Sequence, residues 1–327
     1  MTSTNTPFRF SVHLGRAGSR AAFTEEVLRV EALGYDTVTV PDHPSGHLLW
    51  GPMLAVAATV APSLRIGTFV LDNDFRNPAF VALEAASLDL LSDGRLDLGL
   101  GAGWLGKDYE MAGIPFEPAG VRVAKLAEAV TLIRGAFGGE PFSFAGEHYR
   151  VSELGGPENV LNRPCPPILL GGGGRKMLTL AGRQADIVSI TPIAKRDGSG
   201  LDTADASAEA MGRKLGWLRE GAADRFDALT INILLQHLTV TDGAAATAEA
   251  LETLSGDWEL PPATLAESPL ILVGTEDEIV ETLLARRDRW GISYISVFGP
   301  SMDAFAPIAA RLRDRCIPTL PGATPSS

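Results

Sequence analysis

The sequence is poor in cysteine and in positive charge. Its two cysteines, Cys165 and Cys316, are too few for a disulfide framework or a thiolate zinc site. Lysine and arginine number 28 against 40 aspartates and glutamates, which gives a formal net charge of −12. Because an acidic surface repels phosphate backbones, we do not expect this chain to bind nucleic acid.

Long apolar runs are also missing. The longest ones, near residues 53–61 and 231–235, are far shorter than the roughly 20 residues that cross a bilayer. The first residues are polar, and no apolar segment of signal-peptide type follows them. We therefore expect a cytoplasmic protein without a membrane partner.

The composition is that of an ordinary globular protein, with 45% hydrophobic and 21% charged residues. A length of 327 residues allows two domains of typical size, but α/β barrels of this length form one domain. We predict a single domain over residues 1–317, with insertions near residues 138–163, 191–206 and 244–268. Residues 318–327 are rich in proline, serine and threonine, and we expect a disordered tail there.

Short β-type runs alternate with longer helical patterns along the chain. We predict strands at residues 8–12, 37–40, 66–71, 96–100, 168–170, 186–190, 229–235 and 294–298. We predict helices at residues 20–33, 52–61, 78–91, 121–137, 176–181, 207–220, 275–290 and 304–315. Residues 142–151 have the pattern of a hairpin, and the insertion at 244–268 is expected to begin as a helix.

Eightfold strand–helix alternation implies parallel strands joined by crossover helices. A closed (β/α)8 TIM barrel and an open doubly wound sheet both satisfy that order, and eight repeats in about 300 residues favour the barrel. One further apolar run, at residues 270–273, is short and lies next to the helix predicted at 275. We assign it to a loop.

Ligands bind at the carboxyl ends of barrel strands, so the residues that follow each strand are the first candidates. Histidines cluster after the first two strands, at His13, His43 and His47. His43, preceded by Asp42, could donate a hydrogen bond or carry a proton near neutral pH. The alternative is a helix-capping aspartate beside a solvated histidine. No carboxylate stands at a metal-ligand spacing from these histidines, so we predict no metal site.

Four consecutive glycines follow the fifth predicted strand. Gly171, Gly172, Gly173 and Gly174 precede Arg175 and the next helix. Glycines between a strand and a helix N-terminus let backbone N–H groups approach a phosphate or another anion, and Arg175 could add charge-assisted bonds. A plain flexible turn is the alternative, although ordering four glycines costs much conformational entropy.

Several short segments, each weak alone, resemble one family in their order and spacing. The segments are ALGYD at 32–36, DH at 42–43, GTFVL at 67–71, RNPA at 76–79, LSDGR at 91–95, LGLGAGW at 98–104, PILLGGGG at 167–174 and AGRQAD at 181–186. Together they resemble the luciferase-like monooxygenase superfamily, and in particular its coenzyme F420-dependent oxidoreductases. The similarity extends over residues 8–315.

The resemblance implies a flavin or deazaflavin ring in the barrel mouth and a non-proline cis peptide behind it, at residues 69–70 or 70–71. It assigns cofactor contacts to Asp42, His43, Phe69, Val70, Leu71, Gly103, Trp104, Gly171, Gly172, Gly173, Gly174 and Arg175. The cofactor expected from it is coenzyme F420, with FMN as the alternative.

One position departs from the family. Trp104 stands where some deazaflavin dehydrogenases have a catalytic glutamate, and Asp108, Tyr109 and Glu110 come only later. His43 is then the expected catalytic acid. Trp104 itself could flank the ring or simply plug the rim of the barrel.

These observations predict an F420-dependent oxidoreductase that transfers a hydride between the deazaflavin and a small organic substrate. In such enzymes the cofactor carries the chemistry, while the protein orients it and excludes water. One alternative is an FMN-dependent monooxygenase of the same fold, and a second is a barrel that binds a ligand without turnover. The resemblance also suggests a homodimer.

Overall fold

The computed structural model describes residues 7–46 and 48–316. His47 and the tail predicted at 318–327 lie outside the described residues. Within the described residues, eight parallel strands form one closed sheet. They are β1 Arg9–His13, β2 Thr37–Val40, β3 Arg65–Thr68, β4 Leu96–Gly101, β5 Ile168–Gly172, β6 Ile187–Ile190, β7 Thr230–Leu234 and β8 Ile292–Phe298.

Two pairings close the sheet into a barrel. β8 pairs with β1 in parallel, with Tyr294 opposite Arg9, and β3 pairs with β4 in parallel, with Ile66 opposite Leu96. The predicted (β/α)8 TIM barrel is therefore confirmed. Its carboxyl-terminal strand ends form one common face, where this fold places its ligands.

Helices surround the barrel. They are α1 Arg20–Ala32, α2 Trp50–Val60, α3 Pro78–Leu91, α4 Gly106–Ala112, α5 Ala119–Ala136, α6 Arg175–Gln184, α7 Ala208–Ala222, α8 Ala244–Trp258, α9 Pro262–Glu267, α10 Glu276–Trp290 and α11 Met302–Cys316. Local signals set their ends: Asn77 caps α3 with Pro78 as its first residue, and Thr275 and Glu278 form a capping box at α10. None of the helices in the described part of the chain is long and apolar enough to cross a membrane.

The third predicted strand is interrupted. Residues 66–71 were expected to form one strand, whereas β3 ends at Thr68 and a separate short strand, Leu71–Asp72, pairs with Leu100 and Gly101 of β4. The peptide between them, Phe69–Val70, is cis. A cis peptide breaks the regular alternation of a strand, so a periodicity argument misses the interruption.

The assignment of residues 270–273 to a loop was wrong. Ile271–Gly274 is a strand that pairs in parallel with His237–Val240, in a small sheet outside the barrel. Leu254 of α8 and Leu265 of α9 pack against Ile271. The insertion therefore supplies the apolar cover that lets so short a run form a strand.

Two further segments stand on the rim of the barrel. Phe142–Ala145 and Arg150–Leu154 form the predicted antiparallel hairpin. Helix α4 was not predicted, because its seven residues are too few for a helical period to show. Both segments lie in the connection between β4 and β5: α4 follows β4, whereas the hairpin follows α5 and packs against it, with Phe142 on Gly135 and the amides of residues 147–149 on Glu128.

Candidate active site

Aromatic and imidazole rings line the mouth of the barrel. The His13 ring, at the end of β1, lies 5.6 Å from Phe69 and 5.8 Å from Phe298, which ends β8. The His43 ring lies 5.8 Å from Trp104 and perpendicular to it. These rings form an apolar wall with imidazole groups in it, of the kind that suits a flat conjugated ligand.

Val70 forms the floor of the mouth. It packs against a cluster inside the barrel made of Leu169, Ile187 and Tyr294. Glycine makes room for it on two strands: a β-carbon at Gly101 of β4 would lie 2.7 Å from Val70 Cγ2, and one at Gly171 of β5 would lie 3.4 Å from Val70 Cγ1. The non-proline cis peptide, predicted at residues 69–70 or 70–71, is the Phe69–Val70 bond at this floor.

Asp42 is held by Arg76. The guanidinium donates to both carboxylate oxygens, at 2.5 and 2.7 Å, and the backbone N–H of Asp72 donates to Oδ2 at 3.0 Å. The Asp42 side chain is only 5% exposed. A bidentate pair of this kind fixes the end of β2 against the Leu71–Asp72 segment, and hence fixes the residues before and after the Phe69–Val70 peptide.

His43 forms a close pair with Asp108. The imidazole Nδ1 lies 2.5 Å from Asp108 Oδ2, and the Asp108 side chain is 4% exposed. Asp108 belongs to the first turn of α4. The helix that the sequence did not predict thus brings a carboxylate to the histidine that the sequence singled out.

A further, half-buried carboxyl group, that of Asp72, lies beside Gly103. The Tyr109 hydroxyl donates to its Oδ1 at 2.9 Å, and the Asp74 amide donates to the same oxygen at 3.0 Å. Burial is the main cause that raises the pKa of Asp72 to about 7, and the charges of Asp74 and Asp42 raise it further, against the two hydrogen bonds. Asp72 is therefore a group that can carry a proton near neutral pH.

Gly103 has to be glycine in this arrangement. Its φ is +74°, and a β-carbon there would lie 2.5 Å from Asp72 Oδ2 and would collide with the Tyr109 hydroxyl. The predicted cofactor contact at Gly103 thus also has a packing reason, because the residue makes room for the Asp72–Tyr109 pair.

The four glycines serve different purposes. A β-carbon at Gly172 would lie 2.5 Å from Met177 Cγ, and one at Gly173 would collide with the Thr191 carbonyl. At Gly174, in contrast, a β-carbon would make only an ordinary contact with Ile193, and Gly174 is the N-cap of α6, whose first turn receives no side-chain cap. Close packing therefore explains two of the glycines, and the N–H groups that suit an anion lie near Gly174.

Arg175, predicted to contact the anion, forms an ion pair with Glu220. Its guanidinium donates to both carboxylate oxygens of Glu220 on α7, at 3.0 and 3.2 Å, and its side chain is 65% exposed. An anion at α6 would have to compete with Glu220 for Arg175.

The loop at residues 191–206, called here the 191–206 loop, crosses this face of the barrel. Lys214 of α7, 3% exposed, anchors the base of the loop through Asp205 Oδ2 at 2.5 Å and the Thr191 carbonyl at 2.8 Å. At its far side the Gly106 amide, at the start of α4, donates to the Gly198 carbonyl at 3.0 Å. The loop therefore joins α7 to the helix that carries Asp108.

Sequence reasoning missed four residues of this site as functional positions, namely Arg76, Asp72, Asp108 and Tyr109. Arg76 was visible as part of the RNPA segment, and Asp72 directly follows the third predicted strand. Asp108 and Tyr109 had a weaker signal, as polar residues shortly after Trp104. Their partners are distant in the chain, so the pattern could not pair them.

A family model describes most of the chain. The model for the luciferase-like monooxygenases matches residues 1–293. The chain belongs to the luciferase-like monooxygenase family. The suspected resemblance is thus confirmed at the level of the family.

Among curated relatives in this luciferase-like family, an F420-dependent glucose-6-phosphate dehydrogenase of Intrasporangium calvum is 33% identical over 174 residues, 50% of this chain and 51% of the relative. A 5,10-methylenetetrahydromethanopterin reductase of Methanolobus tindarius is 32% identical over 167 residues, 51% of this chain and 49% of the relative. The chain spans about half the length of the curated relatives it matches.

Solved structures share the fold over nearly the whole chain. An F420-dependent secondary alcohol dehydrogenase in complex with an F420-acetone adduct superposes with a TM-score of 0.71 at 19% identity, covering 94% of this chain and 100% of that chain. The monooxygenase RslO1 from Streptomyces bottropensis gives a TM-score of 0.70 at 22% identity, with 93% and 99% covered. At these identities the likeness establishes the barrel fold alone.

Proposed function

We propose that this protein is a coenzyme F420-dependent oxidoreductase, which transfers a hydride between the deazaflavin and a small organic substrate. The observation that carries the proposal is the set of groups at the carboxyl ends of the barrel strands, namely the His43–Trp104 ring pair, the Phe69–Val70 peptide and the Gly174 turn that follows β5. The names of the F420-dependent relatives support this cofactor over others.

The residues present fit such a cofactor. A flat ring needs an apolar floor and aromatic walls, which Val70, Phe69 and Trp104 provide. A phosphate needs backbone N–H donors without a competing side chain, and the first turn of α6 after Gly174 meets that need. When bound, the deazaflavin would supply the hydride chemistry.

The side chains of this chain would then bind, orient and move a proton. Phe69, Val70 and Trp104 would exclude water from the reacting atoms. His43 would hold a proton at its imidazole, next to the carboxylate of Asp108. The Asp42–Arg76 pair would hold the strand ends that carry these groups.

FMN-dependent monooxygenation is the second candidate. Solved structures with the same fold include several monooxygenases, such as RslO1. The mouth itself fits either ring system, since both are flat tricycles with a phosphorylated side chain. The small-molecule substrate, the homodimer and the cytoplasmic location stay predictions.

A binding experiment separates the candidates. The full-length protein is titrated with F420 and, separately, with FMN, with fluorescence for affinity and native mass spectrometry for stoichiometry. We expect one molecule of F420 per chain and weaker binding of FMN. Preference for FMN would favour the monooxygenase, and tight F420 binding without redox turnover of any acceptor would favour the non-catalytic barrel.

A matched pair of variants tests the anion position. Gly174 has ordinary N-cap dihedral angles, and a β-carbon there would lie 3.7 Å from Ile193 Cδ1 without a clash, so both Gly174→Asp and Gly174→Asn should fold and cap α6. Only aspartate places a charge against a phosphate, and we expect it to weaken F420 binding at least tenfold, with a change below about threefold for asparagine. Equal affinity in the two variants would contradict a phosphate at this turn. Gly172→Asp is a poorer test, because its side chain would collide with Met177.

A further inference from the structure

We propose that Asp108 is a positioning residue, which fixes the proton on Nδ1 of His43 and thereby assigns proton exchange with the substrate to Nε2. The inference rests on the proposed function only where it assigns proton exchange with the substrate to the His43–Asp108 pair. The pair itself is a property of the chain and can be tested without any coenzyme.

The geometry of the pair determines the tautomer. An ionised carboxylate can only accept hydrogen bonds, so Nδ1, 2.5 Å from Asp108 Oδ2, has to carry the proton. In the neutral imidazole Nε2 is then the basic nitrogen, and in the charged form the positive ring faces a carboxylate. Either state of His43 therefore presents Nε2 as the atom that exchanges protons.

The burial of Asp108 indicates that its carboxylate is directed to this one partner. Its Oδ1 is buried and, within the described residues, has no hydrogen-bond partner. A buried carboxylate with so few donors is costly unless a cationic or donating group compensates it. His43 is the group that compensates this charge. We therefore assign the carboxylate to orienting the imidazole rather than to stabilising the surrounding fold.

The surroundings hold the imidazole in this orientation. Trp104 stands perpendicular to the His43 ring, and the next residue of α4, Tyr109, is buried with its hydroxyl on Asp72. The Gly106 amide ties the start of the helix to Gly198 of the 191–206 loop. Asp108 is thus fixed through its own helix, and the ring is confined on two sides.

The pair also involves Trp104, the position at which the sequence departs from the resemblance. Trp104 packs against His43, and the carboxylate partner of the histidine, Asp108, comes four residues later and acts through the histidine rather than alone. The acid–base function is therefore carried by a histidine–aspartate pair.

The first test reads the tautomer directly. The full chain is labelled with 15N-histidine, and the His43 signals are assigned with His43→Gln. We expect neutral wild-type His43 to be protonated mainly at Nδ1, and Asp108→Asn, whose amide can donate to Nδ1, to shift the proton to Nε2. Glu110→Gln removes an exposed carboxylate from the same helix and should leave the signals unchanged. The same tautomer in Asp108→Asn as in the wild type would overturn the proposal.

The second test measures the reactivity of Nε2. Diethyl pyrocarbonate modifies neutral imidazole, and mass spectrometry follows its rate at His43. We expect the rate to fall about tenfold in Asp108→Asn and to stay within about twofold in Glu110→Gln. Asp108→Ala, which removes carboxylate and amide alike, should yield a mixture of tautomers. An unchanged rate in Asp108→Asn would contradict the proposal, whereas absence of F420 binding would contradict only the proposed function.

Discussion

Arg76 donates one hydrogen bond to each carboxylate oxygen of Asp42, and this pair joins the end of β2 to the segment after the cis peptide. The resemblance assigned Asp42 to the cofactor ring. In the structure its carboxylate already accepts hydrogen bonds from Arg76 and from the Asp72 amide. Asp42 thus holds the end of β2 against the Leu71–Asp72 segment.

Removal of one partner should therefore destabilise the chain. Arg76→Met leaves a carboxylate buried without its cation, and we expect a loss of about 3 kcal/mol in the free energy of unfolding. Urea denaturation measures this loss. Asp42→Asn combined with Arg76→Met should recover part of it, because the uncompensated charge is gone. Purely additive losses in the double variant would show that the two side chains act independently.

Asp72 should make stability depend on pH in a defined direction. Burial, with the charges of Asp74 and Asp42, raises the pKa of its carboxyl from 3.8 to about 7. The folded chain then binds more protons than the unfolded chain between these values, so stability falls as the pH rises through this window. The slope from one group is at most about 1.4 kcal/mol per pH unit.

Asp72→Asn removes this titration while it keeps an acceptor for Tyr109. Relative to the wild type, the free energy of unfolding of the variant should rise from about pH 4.5 to about pH 8. We expect a rise of about 1 kcal/mol or more, which is the free energy of a one-unit pKa shift. Chemical denaturation at both pH values measures the difference. Glu110→Gln, on an exposed position of α4, should show no such gain. A difference independent of pH would rule out Asp72 as the titrating group.

Gly101 should control cofactor affinity through Val70. A methyl group at position 101 would lie 2.7 Å from Val70 Cγ2 and would push the floor of the mouth toward the ligand. We expect Gly101→Ala to weaken F420 binding about tenfold, measured by fluorescence titration, since overpacking displaces the side chain that must back the ring. Val70→Ala in the same chain should restore much of the affinity. Equal loss in the single and double variants would exclude this contact as the cause.

The barrel could be predicted because its determinants are local. Apolar periodicity, Gly34 after α1, Asn77 with Pro78, and the Thr275–Glu278 box each depend on residues close in sequence. The cis peptide was placed by resemblance, not by periodicity, and it is found at Phe69–Val70. These local signals predict the elements correctly because the tertiary contacts favour the same helices and strands.

The site could be predicted only in part, because its pairs are made in space. His43 and Asp108 are 65 positions apart, and Asp42 and Arg76 are 34 apart. Each pair depends on where a barrel strand and a rim segment end, and no pattern in the sequence encodes that distance. The assignment of residues 270–273 to a loop failed for a similar reason. Residues 271–274 form a strand only because residues 237–240 lie beside them.

The hydrogen bond from Gly106 to Gly198 has a consequence for how this protein could acquire a different ligand preference. Variation in rim loops is the usual way for barrels to acquire new substrates. Here the 191–206 loop contacts α4, the short helix that carries Asp108, the carboxylate partner of His43. Mutations that reshape the 191–206 loop for a different molecule would therefore also disturb the alignment of the histidine, so that ligand selectivity and the orientation of His43 would change together.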